Sequence, residues 1–169
     1  MTTQPKYIQI EDNLRLVDTM STEDLYRLEN ISLQVFEYLG LDPTSELSIV
    51  IATDEFVREL NAQHRKIDKT TDILSFPADP LPPEIEDQEA PYLGDLVIAY
   101  HYSLGQAAAH QHRPQDEFTL LVVHGLLHLI GYNHDTPESQ AKMWEQQAAI
   151  LHQLKVEITV PDFVHAEDD

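Results

Sequence analysis

The chain reads as an α+β protein of one domain, a small mixed sheet of about four strands packed with several helices around a central one. Three observations carry that expectation. Short β-branched apolar runs fall within the first 100 residues, whereas helical periodicities dominate afterwards. The segment FTLLVVHGLLHLI, residues 118–130, is apolar round nearly its whole circumference, as a buried central helix would be. And 169 residues, 42% hydrophobic and 24% charged, suffice for one full core without staples.

Each element has its own signal. From Ser21, the apolar positions Leu25, Leu28, Ile31, Val35, Phe36 and Leu39 return to one helical face. Ser21 is the N-cap of that helix, Asp24 stands at capping-box spacing, and Gly40 supplies the stop. LSIVIA, Leu47 to Ala52, is a buried strand. Asp54 then caps a helix presenting Phe56, Val57 and Leu60. Two further strands, Asp72 to Phe76 and Leu93 to Tyr100, are separated by PADPLPPEIEDQEAP, whose five prolines and five acids mark an exposed loop beside the site. A short helix covers Ser103 to Gln111, Pro114 starts the central helix, and Gly131 ends it. Thr136-Pro137-Glu138 opens a last helix carrying Met143, Trp144, Ile150, Leu151 and Leu154. The domain is taken as residues 1–169, of which 161–169 (PDFVHAEDD) read as a frayed acidic tail.

Composition bounds the function. The chain has no cysteine, which excludes disulfides and thiolate metal sites and suits a reducing cytoplasm. Neither a basic-then-apolar leader nor an 18-residue apolar window occurs, so export and membrane insertion are not expected. A net charge of −20 opposes binding to phosphate backbones in general, and DNA is not expected as a partner. Yet four of the ten cations, Arg58, Arg65, Lys66 and Lys69, lie within twelve positions, a local strip that either contacts phosphate or solvates a helix end.

The strongest chemical signal is HGLLHLIGYNH. His124 and His128 are four apart on a helix, so both rings project from one face about 6 Å apart along the axis. Gly131 permits a left-handed turn that brings His134 back toward them. Two imidazoles without partners inside an apolar helix would be costly, and a shared divalent cation relieves that cost. Three neutral imidazoles leave one tetrahedral position open, as in catalytic zinc sites, although nickel or another divalent ion also takes nitrogen ligands. The H-x3-H-x2-G-x2-H spacing equals that of metzincin peptidases, but Gly125 stands where those enzymes carry a glutamate base, and residues 118–130 hold no carboxylate. The remaining histidines, His64, His101, His110, His112, His152 and His165, lack such a frame and receive no role.

On these residues the chain resembles the YbeY-type bacterial endoribonucleases that act in rRNA maturation. HGLLHLIGYNH is similar to the family signature HG-x-LHL-x-GYDH, departing at Asn133, where Asp is usual. NAQHRKIDKTTDILSFP, Asn61 to Pro77, resembles a second family block, with His64 standing where an aromatic is usual. LGDLVIA, Leu93 to Ala99, resembles a third. The resemblance implies a single-strand-specific, metal-dependent endoribonuclease with one zinc ion per chain, held by His124, His128 and His134. It makes Arg65 the functional arginine, whose residue-level alternative is a salt bridge to Asp68 or Asp72. It also implies single-stranded RNA as substrate, maturation of the 16S rRNA 3′ end and ribosome quality control as roles, and the ribosome or a ribosomal protein as partner. Two other classes stay open: a metallopeptidase with its base elsewhere, such as Asp135 or a loop acid, and a non-enzymatic ribosome-assembly factor with a structural metal.

Overall fold

Short alternating stretches of apolar and capping residues become nine elements in the computed structural model, which describes residues 8–10, 20–79, 82–84 and 91–158. The tail at 161–169, and residues 80–81 and 85–90 of the Pro-rich connector, lie outside the described residues. In chain order the elements are β1 (Ile8–Ile10), α1 (Thr22–Leu39), β2 (Glu46–Ala52), α2 (Asp54–Arg65), β3 (Ile73–Pro77), β4 (Tyr92–Ala99), α3 (Tyr100–Ala109), α4 (Pro114–Leu129) and α5 (Pro137–Gln153). The class is α+β, as expected. None of the helices among the described residues is long and apolar enough to cross a membrane.

The four strands form one mixed sheet in the order β1-β2-β4-β3. β1, β2 and β4 run parallel, and β3 is antiparallel to β4, pairing Ile73 with Ile98 and Phe76 with Asp95. Because side chains alternate across a strand, Ile49, Ile51, Leu96 and Ile98 share one face and are fully buried against the layer of α1, α4 and α5. Val50, Leu74, Val97 and Ala99 take the other face and pack with Val57, Phe56 and Leu60 of α2. Each such aliphatic side chain removed from water is worth about 1.5–3 kcal/mol.

α4 is the central helix. Twelve of its sixteen residues, Glu117 to Leu127 and Leu129, are buried. It crosses the sheet at Gly125, where a Cβ would lie 2.7 Å from Leu96 Cδ2 and 3.0 Å from Ile73 Cδ1. The glycine therefore allows close helix–sheet contact, and a larger residue would push these side chains aside. Gly94, in β4 at φ +138°, is more tightly constrained, since a Cβ there would run into the Phe76 carbonyl oxygen.

Several boundaries differ from the sequence expectation, each for a local reason. β1, the fourth strand, has only three residues, too few for a period-two pattern to register. Thr53, rather than Asp54, caps α2, accepting from the Phe56 N–H at 3.1 Å. Asp54 is then the first helical residue, and its carboxylate accepts from the Tyr102 N–H at 3.0 Å, tying α2 to α3. α3 begins at Tyr100, directly off β4, not at Ser103, because the strand feeds the helix with no side-chain cap at Ala99 and Ser103 is buried inside the helix.

Candidate metal centre

The C-terminal end of α4, the turn after it and the face of α5 converge on three imidazoles. His124 and His128 project from successive turns of α4 with ring centroids 4.6 Å apart and their Nε2 atoms 3.0 Å apart. The helix stops through a paired reversal: the Gly131 N–H donates to the His128 carbonyl and the Tyr132 N–H to that of Leu127. Gly131 sits at φ +110°, a conformation L side chains rarely adopt. Beyond it His134 returns to the group, its centroid 5.7 Å from that of His124 and 5.1 Å from that of His128. One ring nitrogen from each of the three lies within 4.8 Å of the others.

The return path is held by its own hydrogen bonds. Asn133 Oδ1 accepts from the Asp135 N–H at 3.2 Å, so this side chain fixes the turn. Thr136 and Ser139 then form a reciprocal cap that starts α5. α5 in turn supplies Trp144, whose indole meets the edges of His124 and His134 at 5.9 and 5.6 Å, and Gln147.

Hydrogen bonding sets the tautomers. His124 Nδ1 faces Gln147 Oε1 at 3.0 Å, and His128 Nδ1 faces the Tyr132 carbonyl at 3.1 Å. Both oxygens only accept, so both Nδ1 atoms carry the hydrogen, and in the neutral rings both Nε2 atoms present lone pairs to each other. Such a pair repels unless a cation lies between them. An ion with Zn–N bonds of about 2.0–2.1 Å spaces tetrahedral ligands roughly 3.3 Å apart, close to the separation found. The donor set thus fits a divalent metal. His124 is almost fully buried while His128 and His134 are half-buried, which leaves the group an open side.

The other sequence candidates lie on other elements. Arg65 is the half-buried last residue of α2. Asp68, one of its two suggested salt-bridge partners, is instead held by Arg58 through bonds of 2.8 and 3.2 Å. That guanidinium holds the Asp68 carboxyl below the usual carboxylate range. Arg58 is thereby engaged within the cationic strip. His64 sets its ring edge-on to Phe76 at 5.1 Å. Gln147 and Trp144 lie outside the sequence motifs, and Tyr132, inside HGLLHLIGYNH, acts here through its backbone carbonyl. His110 and His112, to which no role was assigned, are gathered with Glu117 at the opposite end of α4.

Comparison with known proteins gives a consistent set of likenesses. A family model described as Endoribonuclease YbeY matches residues 9–155. A relative named Endoribonuclease YbeY from Renibacterium salmoninarum is 43% identical over 126 residues, 73% of this chain and 80% of that protein. One of the same name from Acetivibrio thermocellus is 34% identical over 157 residues, 88% of this chain and 94% of that protein. The solution structure of TM1509 from Thermotoga maritima, at 20% identity, superposes with a TM-score of 0.52 over 88% of this chain and 91% of that one, a likeness of fold.

Proposed function

The chain belongs to the YbeY endoribonuclease family, and from that premise we propose that it is a zinc-dependent, single-strand-specific endoribonuclease acting in the cytoplasm on rRNA. Its role is maturation of the 16S rRNA 3′ end and ribosome quality control, with 1–169 as one catalytic domain ending in the acidic tail 161–169. The observation that carries this reading is the pair of Nε2 atoms facing each other at 3.0 Å, with His134 completing the group.

His124, His128 and His134 would hold one ion, zinc in this reading, though nickel or another divalent ion suits the same nitrogen donors. When bound, it supplies Lewis-acid polarisation of a phosphoryl oxygen and activation of water near neutral pH. The chain's own residues do the rest. Gln147 and the Tyr132 carbonyl lock the ring tautomers, so that Nε2 of both helical histidines is available without reorganisation. Trp144 walls one side of the group with apolar surface. Arg65 is assigned to the scissile phosphate, because its planar fork matches two phosphate oxygens. Support comes from its place in the family block, Asn61 to Pro77. No peptidase base fits at position 125, whose Cβ direction is filled by Leu96 and Ile73.

A net charge of −20 makes intrinsic RNA affinity weak and salt-sensitive, so a ribosomal protein or the ribosome itself is proposed to present the substrate. Single-strand preference follows from base stacking on exposed rings such as that of His64. The test incubates metal-loaded protein with single- and double-stranded RNA beside chelated, His128→Ala and Arg65→Ala samples. Cleavage of single strands by the loaded wild type alone is expected. Equal cleavage by all four preparations would overturn the assignment.

A further inference from the structure

We propose that His110, His112 and Glu117 form a second divalent-metal site, independent of the triad and placed at the other end of α4. The three residues offer one ligand atom each, and these lie within 4.8 Å of one another. Two imidazoles and one carboxylate make a donor set of the zinc and nickel class.

The backbone builds this cluster. α3 ends in a paired reversal of the kind that ends α4: the Gln111 N–H donates to the Ala108 carbonyl at 3.2 Å, and the His112 N–H to the Ala107 carbonyl at 2.8 Å. The turn residue, Gln111, is left-handed at φ 59°, so the flanking His110 and His112 bring their rings to a centroid distance of 5.7 Å. Pro114 then starts α4, and Glu117, one turn in, points back at the same spot. Its side chain is 0% exposed and that of His112 is 5% exposed.

Charge argues for a cation here. Glu117 Oε2 lies 2.9 Å from His112 Nδ1, whereas Glu117 Oε1 is buried with no hydrogen-bond partner among the described residues. A carboxylate oxygen buried without a hydrogen bond is expensive; His112 reaches only Oε2, and a divalent ion would engage Oε1 as well. Nor does the neighbouring guanidinium supply the missing charge, because Arg113 binds Asp116 at 3.0 and 3.3 Å. The ligand atoms lie no more than 4.8 Å apart, with His112 Nδ1 and Glu117 Oε2 already at 2.9 Å, against about 3.3 Å in a tetrahedral zinc set, and the ion would clip the end of α3 to the start of α4. Glu117 precedes His124 by seven residues, roughly 10 Å along the helix, so one ion cannot serve both clusters.

The test uses full-length protein stripped of metal, titrated with zinc and, for its visible spectrum, with cobalt(II). Wild type is expected to retain two equivalents after gel filtration. His128→Ala/His134→Ala, which leaves the triad a single histidine, is expected to retain one. Adding Glu117→Gln, a near-isosteric change that keeps the packing, should weaken that remaining site at least about tenfold and abolish the zinc-dependent rise in Tm. Retention of one equivalent by wild type and none by the triad variant would overturn the proposal, as would a remaining site indifferent to Glu117→Gln. None of these readouts depends on RNA cleavage, so failure here is distinct from failure of the endoribonuclease reading.

Discussion

Replacing Gln147 with leucine removes the acceptor of the His124 Nδ1–H and tests whether α5 tunes the metal centre. Gln147 is 2% exposed and His124 1%, so no bulk water takes over the bond. The lost contact is 3.0 Å long. Stranding a buried N–H costs about 1–3 kcal/mol, and the ring can relieve it only by rotating or by moving its hydrogen to Nε2, the atom facing His128. Either response damages metal binding. Loss of such an orienting partner lowers metal affinity about 10–100-fold, equivalent to roughly 1.4–2.7 kcal/mol. Chelator competition for zinc, with far-UV circular dichroism to establish the fold, measures this directly. Gln147→Glu serves as the counterpart, because its carboxylate still accepts and adds negative charge, so its affinity should equal or exceed that of wild type. A folded Gln147→Leu protein that binds zinc as tightly as wild type would refute the positioning role and the tautomer assignment together.

Gly125→Ala should destabilise the fold even though alanine is the better helix former. The added Cβ at 2.7 Å from Leu96 Cδ2 costs about 1–3 kcal/mol in overpacking, offset by about 1 kcal/mol of helix propensity. Urea unfolding checks the sign, and Gly125→Ala/Leu96→Val should recover part of the loss. Gly94→Ala should cost more, about 3 kcal/mol, because the obstruction is the backbone carbonyl of Phe76 and φ is +138°; a change in unfolding midpoint no larger than for Gly125→Ala would contradict this. Tyr92 is pushed up to about 12 by partial desolvation and by donating to Asp95 at 2.5 Å. A raised phenol contributes its stabilisation in full below the ordinary value of about 10, and that contribution is lost as pH climbs through 12. Ultraviolet titration of wild type against Tyr92→Phe should show the late-ionising tyrosinate vanish in the variant. Thr136→Ala should remove the cap of α5 at a cost of about 1 kcal/mol, read as a lower Tm.

The features legible in the sequence are those whose geometry is local. His124 and His128 fall on one face because a helix repeats every 3.6 residues, and the return of His134 needs only a left-handed residue, which glycine announces. Gly40 and the Ser21 cap are equally local, and both ends of α1 fall where they indicate. Gln147 is different. It meets His124 across 23 residues, through the packing of α5 on α4, and nothing in its own neighbourhood distinguishes it from Gln146. Gly125 shows a subtler limit. Its lack of a carboxylate is visible in the sequence, but its contact with Leu96 and Ile73 is tertiary, and that contact is what penalises a larger residue there.

The two ends of α4 make the same point from opposite directions. Both α3 and α4 terminate in a paired hydrogen-bonded reversal with a residue of positive φ, and each reversal brings histidines into a cluster. At the second the turn residue is Gly131, so the turn and its metal-ligand spacing are readable. At the first it is Gln111, a residue whose left-handed conformation costs energy and carries no sequence signal, so His110 and His112 look like surface histidines. What gives that cluster away is Glu117: a buried acid in the first turn of an otherwise apolar helix must be compensated by something, and the chain places two imidazoles beside it. One largely buried helix thus carries a histidine cluster at each end, with a spacing of seven positions from Glu117 to His124 keeping the two in fixed relation.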